Sequence, residues 1–437
     1  VDASADATTD AVDVVPLADI ACAPMPDSGP GTVAELQKHV LDPATFPDAR
    51  CNDGTPPRLY FRPYRGAANR DRWIINLHGG GTCSGGKSCL ARWCNCSSTA
   101  ECPYSEVTTN FTRGNMTNAG PAQKPADGIF LRGGAGAETN PYGDYNQVEL
   151  SYCTSDAWRG QVRDLVLDAP HPRTGAPVSF RIDFLGARVL DADLATLRQA
   201  GTPGLVYTLD GASTAMPDLD EAVEVIVTGD SAGGAGTIAN LDHVSAELRA
   251  HNVACQGGGA CPLAVYGLID AVVGPDYAPL DFATYVSPSV RSYDQYLGLL
   301  ATLDDAIDAR GDASCRAMHA ADPRVCADDS HVLRNHITTP FFVRMALRDQ
   351  LIARNYIDSG VRNPDGSAMT VASFALRLHA ELAAFEAMRS PQSTAEEKAG
   401  MTRAPGVFAP GCTAHDTLHS TLETYHTTIT PPGGAPL

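Results

Sequence analysis

Hydrophobic positions along the chain fall into short apolar runs separated by stretches with helical spacing. Arg58 to Arg65 alternates apolar and polar residues as an early strand does, and Arg72 to Leu77, RWIINL, predicts a stronger one. Ile129 to Arg132, Gln147 to Tyr152 and Pro177 to Leu185 read as further strands, and Asp191 to Ala200 as an amphipathic helix. Val223 to Thr228 is mostly β-branched, too short for a helix, and bounded by Gly229, which makes it a buried strand. Pro262 to Ile269 predicts another, ending at Asp270, and Thr339 to Leu347 the last strong one. Between these two, Ser292 to Ala309 places Tyr293, Tyr296, Leu297, Leu300, Leu303 and Ile307 at helical spacing, read as core. Val371 to Met388 predicts a long amphipathic helix. Strands alternating with helices imply an α/β chain with a mostly parallel central sheet and helices on both faces.

Residues 1–30 lack this periodicity and are rich in Ala, Asp, Thr and Pro, so they are expected to form a flexible acidic leader. Residues 31–437 are expected to be one catalytic domain, with a cysteine-rich, lid-like insert around residues 82–127. The start at Val1 suggests that a targeting segment has been removed. No apolar run is long enough to span a bilayer. A net charge of −19 sets the chain against nucleic acid and anionic lipid, because their like charge repels it.

The 13 cysteines imply an oxidising compartment, hence a secreted, periplasmic or surface-tethered protein. The spacings of Cys83 with Cys89, Cys255 with Cys261, and Cys315 with Cys326 suit disulfide-closed loops. Cys94, Cys96 and Cys102 are the rival zinc set, disfavoured because no paired CxxC motif accompanies them. The odd count leaves one thiol over, and Cys22 in the leader is the expected one. Asn95, Asn110 and Asn115 each open an N-x-Ser/Thr sequon.

Chemistry concentrates after the Val223 strand, where Gly229, Asp230, Ser231, Ala232 and Gly233 spell GxSxG. A sharp strand-to-helix turn there needs small residues two before and two after the serine, and it presents Ser231 as a nucleophile. The RWIINL strand runs into His78, Gly79, Gly80 and Gly81, whose backbone can turn N–H groups inward. Gly80, Gly81 and Ala232 are therefore the expected oxyanion donors. Thr82, Trp93 and Asp230 are candidates for the substrate pocket, Trp93 having the competing reading of a loop anchor. A serine nucleophile needs a neutral imidazole and a carboxylate behind it. Asp349, just past the last strong strand, is the expected acid, with Asp270 as the rival. His415, after the loop FAPGCTAH and before an expected final helix, is the expected base. His415 with His419 at i, i+4 is the competing metal reading, disfavoured because HDTLH lacks a glutamate and a third ligand. Neither metal nor cofactor is expected.

The segments CNDGTPPRLYFR from Cys51, INLHGGGTC from Ile75, SYCTSDAWRG from Ser151, TGDSAGG from Thr228, TPFFVRMALRD from Thr339 and FAPGCTAH from Phe408 resemble the pectin acetylesterase and Notum family of extracellular serine carboxylesterases. The resemblance implies an α/β-hydrolase fold with Ser231, Asp349 and His415 as triad. It also implies Gly80, Gly81 and Ala232 as oxyanion hole, and disulfides joining Cys51 to Cys153 and Cys83 to Cys89. The resemblance implies a carboxylic ester substrate and favours an O-acetyl or other short acyl ester on carbohydrate. The acidic surface and the departure of Gly81 and Thr82 from the family's oxyanion loop favour a small acyl ester or a polyester. A lipid ester is a further alternative, and a monomer is expected. A non-catalytic carbohydrate-binding protein is the alternative from another class.

Overall fold

A computed structural model describes residues 13–22, 35–105, 113–132, 140–200, 203–257, 259–387, 405–416 and 418. The strands in chain order are β1 (Val14–Pro16), β2 (Leu36–Val40), β3 (Arg58–Arg62), β4 (Arg72–Leu77), β5 (Gln123–Lys124), β6 (Asn146–Leu150), β7 (Val162–Pro170) and β8 (Pro177–Phe184). They continue as β9 (Val206–Leu209), β10 (Ala212–Ala215), β11 (Glu224–Asp230), β12 (Ala264–Asp270), β13 (Phe341–Arg344) and β14 (Gly406–Phe408). The helices are α1 (Gly86–Trp93), α2 (Gly186–Leu197), α3 (Ala232–His251), α4 (Tyr293–Ala306), α5 (Ala313–Met318), α6 (Asp329–Asn335), α7 (Gln350–Asp358) and α8 (Val371–Ala387).

Nine strands form the central sheet in the order β14-β13-β12-β11-β4-β6-β3-β2-β5. From β6 across to β14 every neighbour is parallel, whereas β3, β2 and β5 attach antiparallel at the other edge. The central strand β11 buries Val225, Ile226 and Val227, because a parallel strand covered on both faces has no solvent side on which to alternate polar residues. Trp73 and Ile75 of β4, Val265 of β12 and Val343 of β13 complete the same buried layer. Parallel pairing sends the carboxyl ends of β4, β11, β12, β13 and β14 to one edge, where an open α/β sheet carries its ligands.

Three readings from the sequence change. Ile129 to Arg132 is not a strand; Gly128–Phe130 forms a 3-10 turn instead. The last strong strand is followed by one more, the short β14, which the sequence did not signal and which pairs beside β13. Part of the supposed leader is folded: Val14–Pro16 adds parallel to β8, which pairs antiparallel with β7.

Six disulfides close loops among the described residues: Cys22–Cys94, Cys51–Cys153, Cys83–Cys89, Cys96–Cys102, Cys255–Cys261 and Cys315–Cys326. Cys22 is thus not the leftover thiol; that is the exposed Cys412. Cys94, Cys96 and Cys102 are all oxidised and offer no thiolate to zinc. The insert also contains regular structure where little pattern was legible, namely α1, whose Cys89, Leu90 and Trp93 sit in a second core under β7 and β8.

The Cys51–Cys153 bridge spans 102 residues and ties the entrance of β3 to the exit of β6. Loop-closure entropy for so long a loop gives a stabilisation of about 2–5 kcal/mol. A Cys51→Ser/Cys153→Ser variant is therefore expected to lose about that much in a reversible denaturant titration, while Cys412→Ser stays within about 0.5 kcal/mol of the parent.

Candidate active site

Ser231 sits between the last residue of β11 and the first turn of α3, at φ 51° and ψ −120°. A non-glycine residue at positive φ costs on the order of 1–3 kcal/mol and persists only where its neighbours hold it. Here the Ser231 N–H donates to the Asp270 carbonyl at 3.0 Å, and the Ser231 carbonyl accepts from the Ala235 N–H at 3.0 Å. The flanking glycines are steric requirements. A Cβ on Gly229 would strike the Gly233 carbonyl, and one on Gly233 would strike the Leu77 carbonyl of β4. The next two turns of α3 are glycine-rich for a related reason. A Cβ on Gly234 would press on the Asp270 carbonyl, and one on Gly236 on the Trp158 ring.

The glycine loop after β4 lies against this turn. A Cβ on Gly79 would meet the carboxylate and carbonyl of Asp230, and Gly80 and Gly81 adopt φ +143° and +66°. The loop is braced from Ser155 to Trp158: the Trp158 Nε1–H donates to the His78 carbonyl at 3.2 Å, and the Cys83 N–H to the Ser155 carbonyl at 3.0 Å. Asp156 organises that brace, accepting from Thr154 Oγ1 and the N–H groups of Trp158, Gly160 and Gly186. Burial pushes its carboxyl up to about 6 in spite of those four donors.

Asp349 and His415 arrive from the outer strands. Five residues after β13, Asp349 caps α7, its Oδ1 accepting the N–H groups of Leu351 and Ile352 at 2.9 Å each. Beyond β14, Pro410 to Thr413 runs alongside this segment, with Leu347 N–H to Pro410, Arg348 N–H to Cys412 and Gln350 N–H to Thr413. The zipper delivers His415, whose Nδ1 lies 2.8 Å from Asp349 Oδ2 and 3.0 Å from Oδ1. Asp349 is fully buried and accepts at both oxygens, so Nδ1 carries the proton and Nε2 the lone pair. Nε2 is buried and makes no hydrogen bond to the described residues, so the link to Ser231 is not closed in this structure.

Asp270, the rival acid, is engaged elsewhere. It pairs with Arg344 Nη1 at 3.1 Å and accepts the Leu418 N–H at 3.2 Å. His419 and the expected final helix lie outside the described residues.

A cavity of about 370 Å³ opens beside the glycine loop at Thr82 and runs under α4, α6 and α7. One wall is apolar, with Leu165, Leu167, Phe184, Leu300, Leu303 and Ile307. The opposite wall carries Arg159, whose guanidinium meets Asp304 at 2.5 Å and Asp329 at 3.7 Å. Burial pushes Asp329 up to about 6 against the pull of Arg159. Of the three residues proposed for the pocket, Thr82 lines this cavity. Trp93 does not. It is buried, with its Nε1–H on the Ile20 carbonyl and the Arg113 guanidinium 3.8 Å above its ring, so it anchors the insert. Asp230 lies behind the serine turn, against Gly79, rather than on the cavity wall. Tyr296, Leu300, Leu303 and Ile307, read from their spacing as core, also line the cavity, although Tyr296 belongs to the main core and Leu300 and Ile307 pack against core clusters.

Asp416 was missed in the sequence, although it directly follows FAPGCTAH. Burial pulls the His415 imidazole down, but the hydrogen bond and charge of Asp349, with the charges of Asp416 and Asp230, outweigh it and leave the group raised above 6.5.

Residues 32–258 match the family model described as Pectinacetylesterase. The chain is 26% identical over 211 residues to palmitoleoyl-protein carboxylesterase notum2 of Xenopus laevis, covering 47% of this chain and 33% of that protein. It is 28% identical over 202 residues to the palmitoleoyl-protein carboxylesterase Notum of Drosophila melanogaster, covering 44% of this chain and 22% of that one. The match thus spans about a third of the first relative's length, and less of the second's. The solved structure of the Wnt deacylase Notum from Drosophila superposes with a TM-score of 0.57 at 20% identity, over 88% of this chain and 87% of that one. The shared architecture is the α/β-hydrolase fold.

The charges around His415 set its titration. Its imidazole is expected to titrate above 6.5 by NMR, and Asp349→Asn to lower that midpoint, because the largest influence opposing burial is then removed while the charges of Asp416 and Asp230 remain. A midpoint unmoved by Asp349→Asn would show that the pair does not exist in solution.

Proposed function

The chain belongs to the pectinacetylesterase family, and from that premise we propose that it is a serine carboxylic ester hydrolase acting outside the cytoplasm. The observation that carries the reading is the Asp349–His415 contact of 2.8 Å, held at the same sheet edge as a serine on a left-handed turn. Six disulfides among the described residues support an oxidising compartment. Among those residues, no helix is long and apolar enough to cross a membrane.

In the proposed cycle Ser231 Oγ attacks the ester carbonyl as His415 Nε2 takes its proton, closing the hydrogen bond that this structure leaves open. Asp349 holds the imidazole in the right tautomer and stabilises its cation. The tetrahedral oxyanion is received by the N–H groups of Gly80, Gly81 and Ala232, the last of which, at a helix start, has no intrahelical acceptor. His415 then protonates the leaving alcohol, and water resolves the acyl enzyme by the reverse sequence. The polar wall of Arg159, Asp304 and Asp329 favours a short acyl group, such as acetyl, on a hydroxyl-rich alcohol. A longer acyl chain, from a lipid or polyester, is the second reading, favoured by the apolar wall of the same cavity. Net charge of −19 disfavours polyanionic substrates for either.

Hydrolysis of p-nitrophenyl esters from acetate to palmitate is expected to peak at the short end, and a peak at palmitate would establish the second reading. Ser231→Ala is expected to lower kcat/KM by about 10⁴-fold or more, and activity equal to the parent would overturn the mechanism. Because only neutral His415 can act as base, kcat/KM should fall as pH drops through a midpoint above 6.5.

A further inference from the structure

Behind the polar wall of the cavity, three histidines converge from two short helices. His319 caps the C-terminus of α5, His331 lies within α6, and His336 caps the C-terminus of α6. Their ring centroids are 5.2, 5.6 and 5.3 Å apart, and one nitrogen from each lies within 4.8 Å of the others. His331 Nε2 lies 3.3 Å from His336 Nε2. Tetrahedral zinc with Zn–N bonds of about 2.0–2.1 Å requires ligating nitrogens about 3.3–3.4 Å apart, so this pair already spans one edge of such a site.

The outer contact of His336 suits ligation too. His336 Nδ1 lies 3.2 Å from Ser314 Oγ, which donates to Asp312 Oδ1 at 2.6 Å. A histidine ligand is normally oriented in this way, by a partner on its other nitrogen. His331 Nδ1 faces the Asn335 Nδ2 donor at 3.2 Å, so ligation through His331 Nε2 requires the Asn335 amide to turn its oxygen towards Nδ1. Cys315 belongs to the same cluster, but its sulfur is bonded to Cys326, so the available donor set is three imidazoles. His336 is buried and His319 and His331 are half-buried, which leaves an approach for an ion and a position for water as fourth ligand. A chain this acidic also concentrates cations.

We propose that His319, His331 and His336 bind one divalent ion of the zinc class. The Cys315–Cys326 bridge fastens the segment joining α5 to α6 at one point and the ion fastens it at a second. Ala327, Asp328, Asp329 and Ser330 of that segment wall the cavity, so the ion stiffens the pocket from behind. The role is structural and lies apart from Ser231 and His415.

The test is calorimetric titration of the chelator-treated full chain with ZnCl₂ at about pH 7.5. Binding of one Zn²⁺ per chain is expected, with affinity lowered at least about tenfold in His319→Ala and in His331→Ala. Zinc should raise the melting temperature of the parent and not of the variants. Equal melting of parent and variants in chelator would show that the loss is of a ligand and not of the fold. Cobalt(II) on the unmutated chain, giving the visible bands of a four-coordinate ion, tests the site without any substitution. No saturable zinc binding, or binding undiminished in both variants, would overturn the proposal.

Discussion

The close approach of β4, β11 and the start of α3 is the constraint on which the rest of the site depends. Gly233 rests its Cα against the Leu77 carbonyl, and Gly229 rests against Gly233, so the chain can only reverse at Ser231 by taking positive φ. Helical glycine is unfavourable by about 1 kcal/mol relative to alanine. The glycines at the head of α3 are tolerated because any Cβ there would push the helix off the sheet. The same closeness sets Gly79 against Asp230, and so places the glycine loop beside the serine.

Electrostatics then sort the carboxylates at that edge. Asp270 and Asp349 are both fully buried and both follow sheet strands, but they have different partners. A cation from β13, Arg344, neutralises Asp270 and makes it part of the sheet. Asp349 instead receives two helix N–H groups and the His415 imidazole, so its acceptor capacity is turned to the start of α7 and to the ring rather than to a cation of the sheet. Asp230 and Asp416 add negative charge around the same ring, so the protonated form of His415 is favoured from several sides.

The cavity is assembled from parts distant in sequence. Thr82 to Ser84, just past the glycine loop, form part of its lining, apolar side chains come from β7, β8 and α4, and polar ones from the ion pair of Arg159 with Asp304 and Asp329. The disulfide-closed insert packs Trp93 beneath β7 and β8 rather than over the opening, so it supports a wall and does not act through that tryptophan. Val14–Pro16 and Cys22 fasten to the same region, which accounts for why a stretch with no periodicity of its own is ordered.

Local rules carried the sequence reading where the cause was itself local. GxSxG after a β-branched run, HGGG after RWIINL, and a histidine after a Gly/Pro loop declare themselves because turn sterics act within a few residues. Order along the chain was likewise enough to put Asp349 ahead of Asp270. Other decisions lay outside its reach. The three residues of β14 are too few for a periodic signal and become a strand only by pairing with β13. Cys22 bonds Cys94 because β1 docks on β8, a contact that cysteine spacing does not encode. Helical spacing marked Tyr296, Leu300, Leu303 and Ile307 as apolar and could not say whether they faced core or cavity, since both bury the same side chains. The amino-acid sequence by itself determined the chemistry and the strand that presents it. Tertiary structure alone decided which groups meet across the sheet edge, because burial, pairing and charge compensation act between residues that the chain keeps far apart.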